Sequence, residues 1–80
     1  IDLQKIKVTR IFNWLKRNNI KDKEMLKTFN CGVGFCIIIN PKNLKQISKF
    51  FSKEFQPYVI GKITNGKNKV KLNDKIRWFR

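Results

Sequence analysis

Eighty residues, 41% of them hydrophobic, carry nineteen lysines and arginines against five carboxylates, a formal charge of +14. That describes one small domain at most, since a chain of this size buries only about 60–65% of its unfolded surface. Histidine is absent, which removes the usual general base and the usual nucleophile triads, and no apolar run reaches the ~20 residues of a membrane helix. The chain opens on Ile1, which reads as a piece of a longer protein. No charged n-region followed by an apolar h-region precedes the body, so the expected compartment is the cytoplasm. The charge itself has two readings: a polyanionic partner such as nucleic acid, or compositional drift toward Lys, Ile, Asn and Phe. Lysine is spread along the chain and arginine is scarce, which favours drift, because bidentate phosphate contacts want arginine.

In chain order, Ile1 to Val8 alternates weakly through Leu3, Ile6 and Val8, as an edge strand or an extended lead-in. Thr9 is the predicted N-cap of a helix running to about Asn18. Ile11, Phe12 and Leu15 form its expected buried face, with Trp14 at the margin and Asn13, Lys16 and Arg17 outward. Asn18 and Asn19 end it. Asp22 is the predicted N-cap of a second short helix, whose first turn holds Glu24. The glycines Gly32 and Gly34 come next, and then Phe35 to Ile39, apolar without a break, reads as a strand buried on both faces.

Asn40-Pro41 is a helix start, a capping side chain followed by proline at the first helical position. Leu44, Ile47, Phe51 and Phe55 recur at helical spacing, with Lys42, Lys45, Lys49 and Lys53 opposite. They predict an amphipathic helix of about fourteen residues, packed on the preceding strand in preference to a membrane surface. Tyr58 to Thr64, a turn at Asn65-Gly66 and Lys67 to Leu72 predict a hairpin. Val59, Gly61, Ile63, Val70 and Leu72 share one face; Ile60, Lys62, Lys69 and Lys71 share the other. The tail from Asp74 to Arg80 is basic and aromatic, and its pattern does not say whether it docks. The expected class is α+β, helices packed on a small mixed sheet.

The chemistry-bearing residues are few. Five carboxylates form no convincing acid–base pair, and no dinucleotide or Walker fingerprint is present, since Gly32-Val33-Gly34 is a lone G-x-G. These glycines fit a tight helix-to-strand turn. Equally, they fit a loop that turns backbone N–H groups and the Asn30 side chain toward a polar ligand. Cys31 and Cys36, five apart, would lie ~16 Å apart on opposite faces of an extended segment, beyond disulfide reach. With no histidine and no further cysteine, no metal site is expected, and both thiols are expected reduced, with Cys31 partly buried.

The stretch Thr28-Phe29-Asn30-Cys31-Gly32-Val33-Gly34, preceded by Glu24-Met25, closely resembles the closing region of the aminoimidazole ribonucleotide synthetase family, the phosphoribosylformylglycinamidine cyclo-ligases. The family's Thr-Phe-Asn-x-Gly-x-Gly motif is matched at every fixed position. Ile11-Phe12-Asn13-Trp14-Leu15 resembles its Pro-x-Ile-Phe-x-Trp-Leu segment, with Thr9 in place of the proline. Tyr58-Val59-Ile60-Gly61 resembles its Val-Ile-Gly strand. The likeness runs from about Ile1 to Leu72 in order and spacing.

The resemblance implies a cytoplasmic, homodimeric ligase of purine biosynthesis. It would close formylglycinamidine ribonucleotide to aminoimidazole ribonucleotide, with Mg-ATP activating the amide oxygen and ADP and phosphate released. Residues 1–73 would be the last half of the synthetase's C-terminal domain and residues 74–80 a tail. ATP and Mg2+ would be bound mainly by an N-terminal domain outside these residues, so the 80-residue piece alone is expected to be inactive. Asn30, Gly32, Gly34 and Thr28 are carried over as substrate-binding residues, acting through backbone N–H and amide contacts. No catalytic and no metal-binding residue is carried over. The alternatives are an inactive fragment of a broken gene, or a small basic RNA-binding module that stacks bases on Tyr58 and Trp78 beside Lys69 and Lys71.

Overall fold

The core is built by the N-terminal segment, two short helices and the tail. The computed structural model describes residues 1–78. Helix α1 spans Arg10–Lys16, α2 spans Asp22–Thr28 and α3 spans Leu44–Ser48; single 3-10 turns lie at Leu3–Lys5, Pro41–Asn43 and Lys53–Phe55. Leu3, Val8, Met25, Cys31 and Ile76 are buried together, and Phe12, Leu15, Ile20, Leu26 and Phe29 pack against them. The rings of Phe12 and Phe29, from α1 and from the end of α2, meet at 5.9 Å.

Helix α1 begins after Thr9, as expected, but its inward face is rotated from the expected one. Asn13 is buried, while Ile11 and Trp14 are more than half exposed. Burial of an amide is tolerable only when it is bonded, and Asn13 Nδ2 donates to the Thr9 carbonyl at 3.2 Å. The chain leaves α1 through Asn19, whose φ of 63° is the left-handed conformation expected there. Lys16, expected outward, folds back: its Nζ donates to the Ile20 carbonyl at 2.6 Å and pairs with Asp22 Oδ1 at 3.0 Å.

The N-cap of α2 is Lys21, one residue before the expected Asp22. Asp22 is thereby free for longer-range work, and its Oδ1 also accepts from Trp78 Nε1 at 3.0 Å. The tail therefore docks, through buried Ile76 and through Trp78 packed on the core. Phe79 and Arg80, the end of the expected tail, lie outside the described residues.

The long helix expected after Asn40 forms in pieces. Its start is as read: Asn40 Oδ1 accepts from the Lys42 N–H at 3.0 Å, with Pro41 in the first turn. Regular α-helix stops at Ser48, and Gln56 Nε2 donates to the carbonyls of Phe51 at 2.7 Å and Ser48 at 3.1 Å. Of the apolar face expected to be buried, Leu44 and Ile47 are half-buried while Phe51 and Phe55 are exposed, Phe55 at 72%. A short amphipathic helix takes most of its stability from packing of that face, and no strand among the described residues lies beneath this one.

No strand is assigned among the described residues, so the expected small mixed sheet is not shown; one parallel bridge joins Asp2 and Asn73. Around it the N-terminal segment is held from two sides. Asn73 N–H donates to the Ile1 carbonyl at 2.8 Å and Leu3 N–H to the Asn73 carbonyl at 3.0 Å, while Asp2 N–H donates to the Ile60 carbonyl at 2.7 Å. Gly61 is glycine because a Cβ would lie 2.9 Å from Ile1 Cα. Tyr58 is anchored too, its hydroxyl accepting from Lys7 N–H at 3.1 Å and its ring lying 4.7 Å from Lys7 Nζ. The expected Asn65-Gly66 hairpin is replaced by a bend over residues 65–68, with Asn68 at φ 33°. No helix among the described residues is long and apolar enough to cross a membrane.

Candidate functional site

The Thr28–Gly34 stretch is a turn that Asn30 writes into the backbone. Helix α2 ends at Thr28, and Phe29 leaves it in an extended conformation, φ −122° and ψ 153°. Asn30 then accepts twice. Its side-chain oxygen takes the Gly32 N–H at 3.0 Å, and its carbonyl takes the Val33 N–H at 3.0 Å. This is the local side-chain-to-backbone bonding that makes asparagine a turn residue. Cys31 sits inside the turn at φ 54°, buried against α2, with its thiol 3.9 Å from the Met25 and Phe29 carbonyls.

The two glycines of the motif have different reasons to be glycine. Gly32 has a φ of +107°, and a Cβ on it would stand 3.0 Å from the Lys7 carbonyl and 3.1 Å from the Thr9 nitrogen. Its place in the motif follows from folding. Gly34 has no positive φ and nothing within 4 Å of where its Cβ would be. Neither strain nor crowding inside the described chain requires a glycine there, and its N–H has no partner among the described residues.

The site residues therefore divide. Thr28, Asn30 and Gly34 are exposed and Gly32 is half-buried. The Gly32 N–H and one Asn30 oxygen are committed to the turn. The Asn30 amide NH2 and the Gly34 N–H remain open to a ligand. Beside the turn lies an open groove of about 260 Å³, lined by Asn30, Val33 and Cys36 from the motif side and by Ile1, Ile60 and Leu72 from the other. Asn30 brings the polar group to an otherwise apolar lining. Such a groove suits hydrocarbon and peptide better than an unshielded phosphate, because an ion there would be desolvated without a counter-charge.

Cys36 at the groove was not among the sequence-expected site residues. The groove is assembled from segments sixty residues apart, which sequence periodicity does not register. Both cysteines are free. Burial, and then the charge of Asp22, push the Cys31 thiol above its ordinary value, so it is held protonated and unreactive. No group of three histidine, cysteine or acidic side chains among the described residues is placed to hold a metal ion. The two rings that an RNA-stacking surface would use, Tyr58 and Trp78, are both engaged within the chain.

Comparison with known families places residues 1–73 within the family described as AIR synthase related protein, C-terminal domain. No solved structure matches the chain.

Proposed function

Because the chain belongs to the AIR synthase related family through its C-terminal domain, we propose that it forms the closing part of that domain in a phosphoribosylformylglycinamidine cyclo-ligase. The reaction would convert formylglycinamidine ribonucleotide to aminoimidazole ribonucleotide. An amide oxygen leaves poorly until it is phosphorylated, and Mg-ATP supplies that activation. As the family resemblance implies, Mg-ATP would be bound mainly by an N-terminal domain, which would also form the homodimer. The complete enzyme would be cytoplasmic. The expected α+β class, with helices on a small mixed sheet, would then be reached in the complete domain.

In this reading the Thr28–Gly34 turn positions substrate and moves no protons. The observation that carries it is Gly34, a glycine with open space around it and an unpartnered N–H, beside the free amide NH2 of Asn30. A donor pair of this kind suits a carbonyl oxygen of the bound substrate. Gly32 serves by shaping the turn, and Thr28 by ending α2 at the site's rim.

The test uses a complete synthetase in which residues 1–73 replace the corresponding segment. Asn30→Asp keeps the oxygen that accepts from Gly32 and removes the NH2 donor, so turn and substrate contact are separated. Loss of one hydrogen bond to substrate predicts a fall of about tenfold in kcat/KM. Unchanged turnover and substrate affinity would assign Asn30 to the turn alone. Absence of any cyclisation by a folded, unsubstituted chimaera would overturn the cyclo-ligase reading.

A further inference from the structure

We propose that Asn65 is a modification site: the backbone nitrogen of Gly66 attacks its side-chain amide, and the residue converts without an enzyme to aspartate and isoaspartate. The reaction is intramolecular, so its rate is set by how readily two groups of one dipeptide reach attacking geometry. In folded chains it is blocked by a bulky following side chain, by a following N–H held in a hydrogen bond, or by a backbone fixed in a helix or ladder. None of these operates at Asn65. Of the nine asparagines it alone is followed by glycine, which leaves the backbone free to bring the nitrogen round. Residues 65–68 form an exposed bend. Neither the Gly66 N–H nor the Asn65 amide has a partner among the described residues, and nothing lies within 4 Å of where a Gly66 Cβ would stand. Lys67 is next in the chain, and its positive charge favours the amide anion that attacks.

Other asparagines meet a block. Asn13 is buried within α1, the Asn30 side-chain oxygen holds the Gly32 N–H at 3.0 Å, and Pro41 after Asn40 has no N–H to lose. The bend also lies between the two strand-like stretches 58–64 and 67–72. A neighbouring strand that completed either of them would leave Asn65 and Gly66 at the loop tip.

In the first step Gly66 N gives up its proton and bonds to Asn65 Cγ. The Cγ–Nδ2 bond breaks, ammonia leaves, and a succinimide ring closes. Water then opens the ring. Attack at Cγ restores the main chain with aspartate. Attack at the Asn65 main-chain carbonyl carbon breaks its bond to Gly66 N and routes the chain through Cγ, as isoaspartate. Each event puts a carboxylate on the bend and removes one unit from the +14 charge. None of this depends on the cyclo-ligase reading.

The test ages the full chain at neutral and at alkaline pH and maps its tryptic peptides by mass spectrometry, residues 63–67 being released between Lys62 and Lys67. Asn65 should convert at least about tenfold faster than any other described asparagine, and faster still at alkaline pH, because the attacking nitrogen must lose a proton. Its rate in the folded chain should stay within about tenfold of its rate in urea. Gly66 has no positive φ and an open Cβ position, so Gly66→Ala should keep the circular dichroism while slowing the conversion by about tenfold. Three results would each overturn the proposal: conversion at Asn65 no faster than at the other asparagines, a larger drop on folding, which would show that the bend is held, or an equal rate in Gly66→Ala.

Discussion

Asn30 and Gly32 form one device, since the glycine's N–H is bonded to the asparagine's side chain and a Cβ on the glycine would meet Lys7 and Thr9. Gly32→Ala forces a side chain into a φ of +107° and against the Lys7 carbonyl, a cost of about 1–3 kcal/mol. In a chain this size the thermal midpoint should fall by about 4–8 °C for each kcal/mol, read by circular dichroism. Gly34→Ala meets neither obstacle and should stay within about 0.5 kcal/mol of the parent. Equal destabilisation by the two would mean that the motif is glycine for folding at both places. Cys31 adds a pH signature of definite sign. Burial, and secondarily Asp22, disfavour its thiolate in the folded chain, so the folded pKa lies above the unfolded value of about 8.5. The folded state then holds the proton more tightly. That contribution is complete below about pH 8.5 and is lost as pH rises through the folded pKa. Urea midpoints should therefore fall on the alkaline side of pH 8.5, and Cys31→Ala should flatten the fall. A parallel decline in the two proteins would remove Cys31 from the account.

At the level of elements, legibility in the sequence followed the range of the interactions. The start of α1 after Thr9, the left-handed Asn19 in the turn that follows it, the position of α2 and the Asn40-Pro41 cap are decided within a few residues. Local pattern finds them because capping and left-handed asparagine are local physics. Asn13 shows where that stops. A lone polar residue on a short helix reads as outward, yet its bond back to Thr9 lets it turn in and sends Ile11 out. The docking of Ile76 and Trp78 rests on Asp22, far away along the chain, and no spacing rule anticipates it. The stretches expected as strands depend on range most of all. Phe35 to Ile39 and Tyr58 to Leu72 carry the composition of strands, but a strand is completed by a neighbour's backbone. For 34–39 the described residues supply none, so the pattern is legible while the pairing is not. The Thr28–Gly34 turn is legible as a motif. That Gly32 belongs to folding and Gly34 to open space is a distinction only the surrounding atoms make.

For the molecule as a whole, the tail decides whether these residues hold together. The family match ends at residue 73, yet Ile76 is one of the buried core residues and Trp78 packs beside it. Removing residues 74–80 acts in two opposed ways. It takes away three basic side chains and one acidic one, which eases the self-repulsion of a strongly cationic chain. It also removes Ile76 from the buried cluster it shares with Leu3, Val8, Met25 and Cys31, and breaks the Trp78–Asp22 bond. The first effect is a surface one, at most about 1 kcal/mol and screened by salt. The second forfeits about 1.5–3 kcal/mol for the isoleucine alone, before the tryptophan is counted. A chain of this size has only a few kcal/mol of stability from its core, so burial wins. The 1–73 chain should lose cooperative thermal unfolding, and raising salt from 20 to 500 mM should not restore it. Ile76→Ala in the intact chain should lie between the two, with a lowered midpoint and cooperativity kept. If the shortened chain instead melts at or above the parent's midpoint, the tail is a charge burden and the core closes without it.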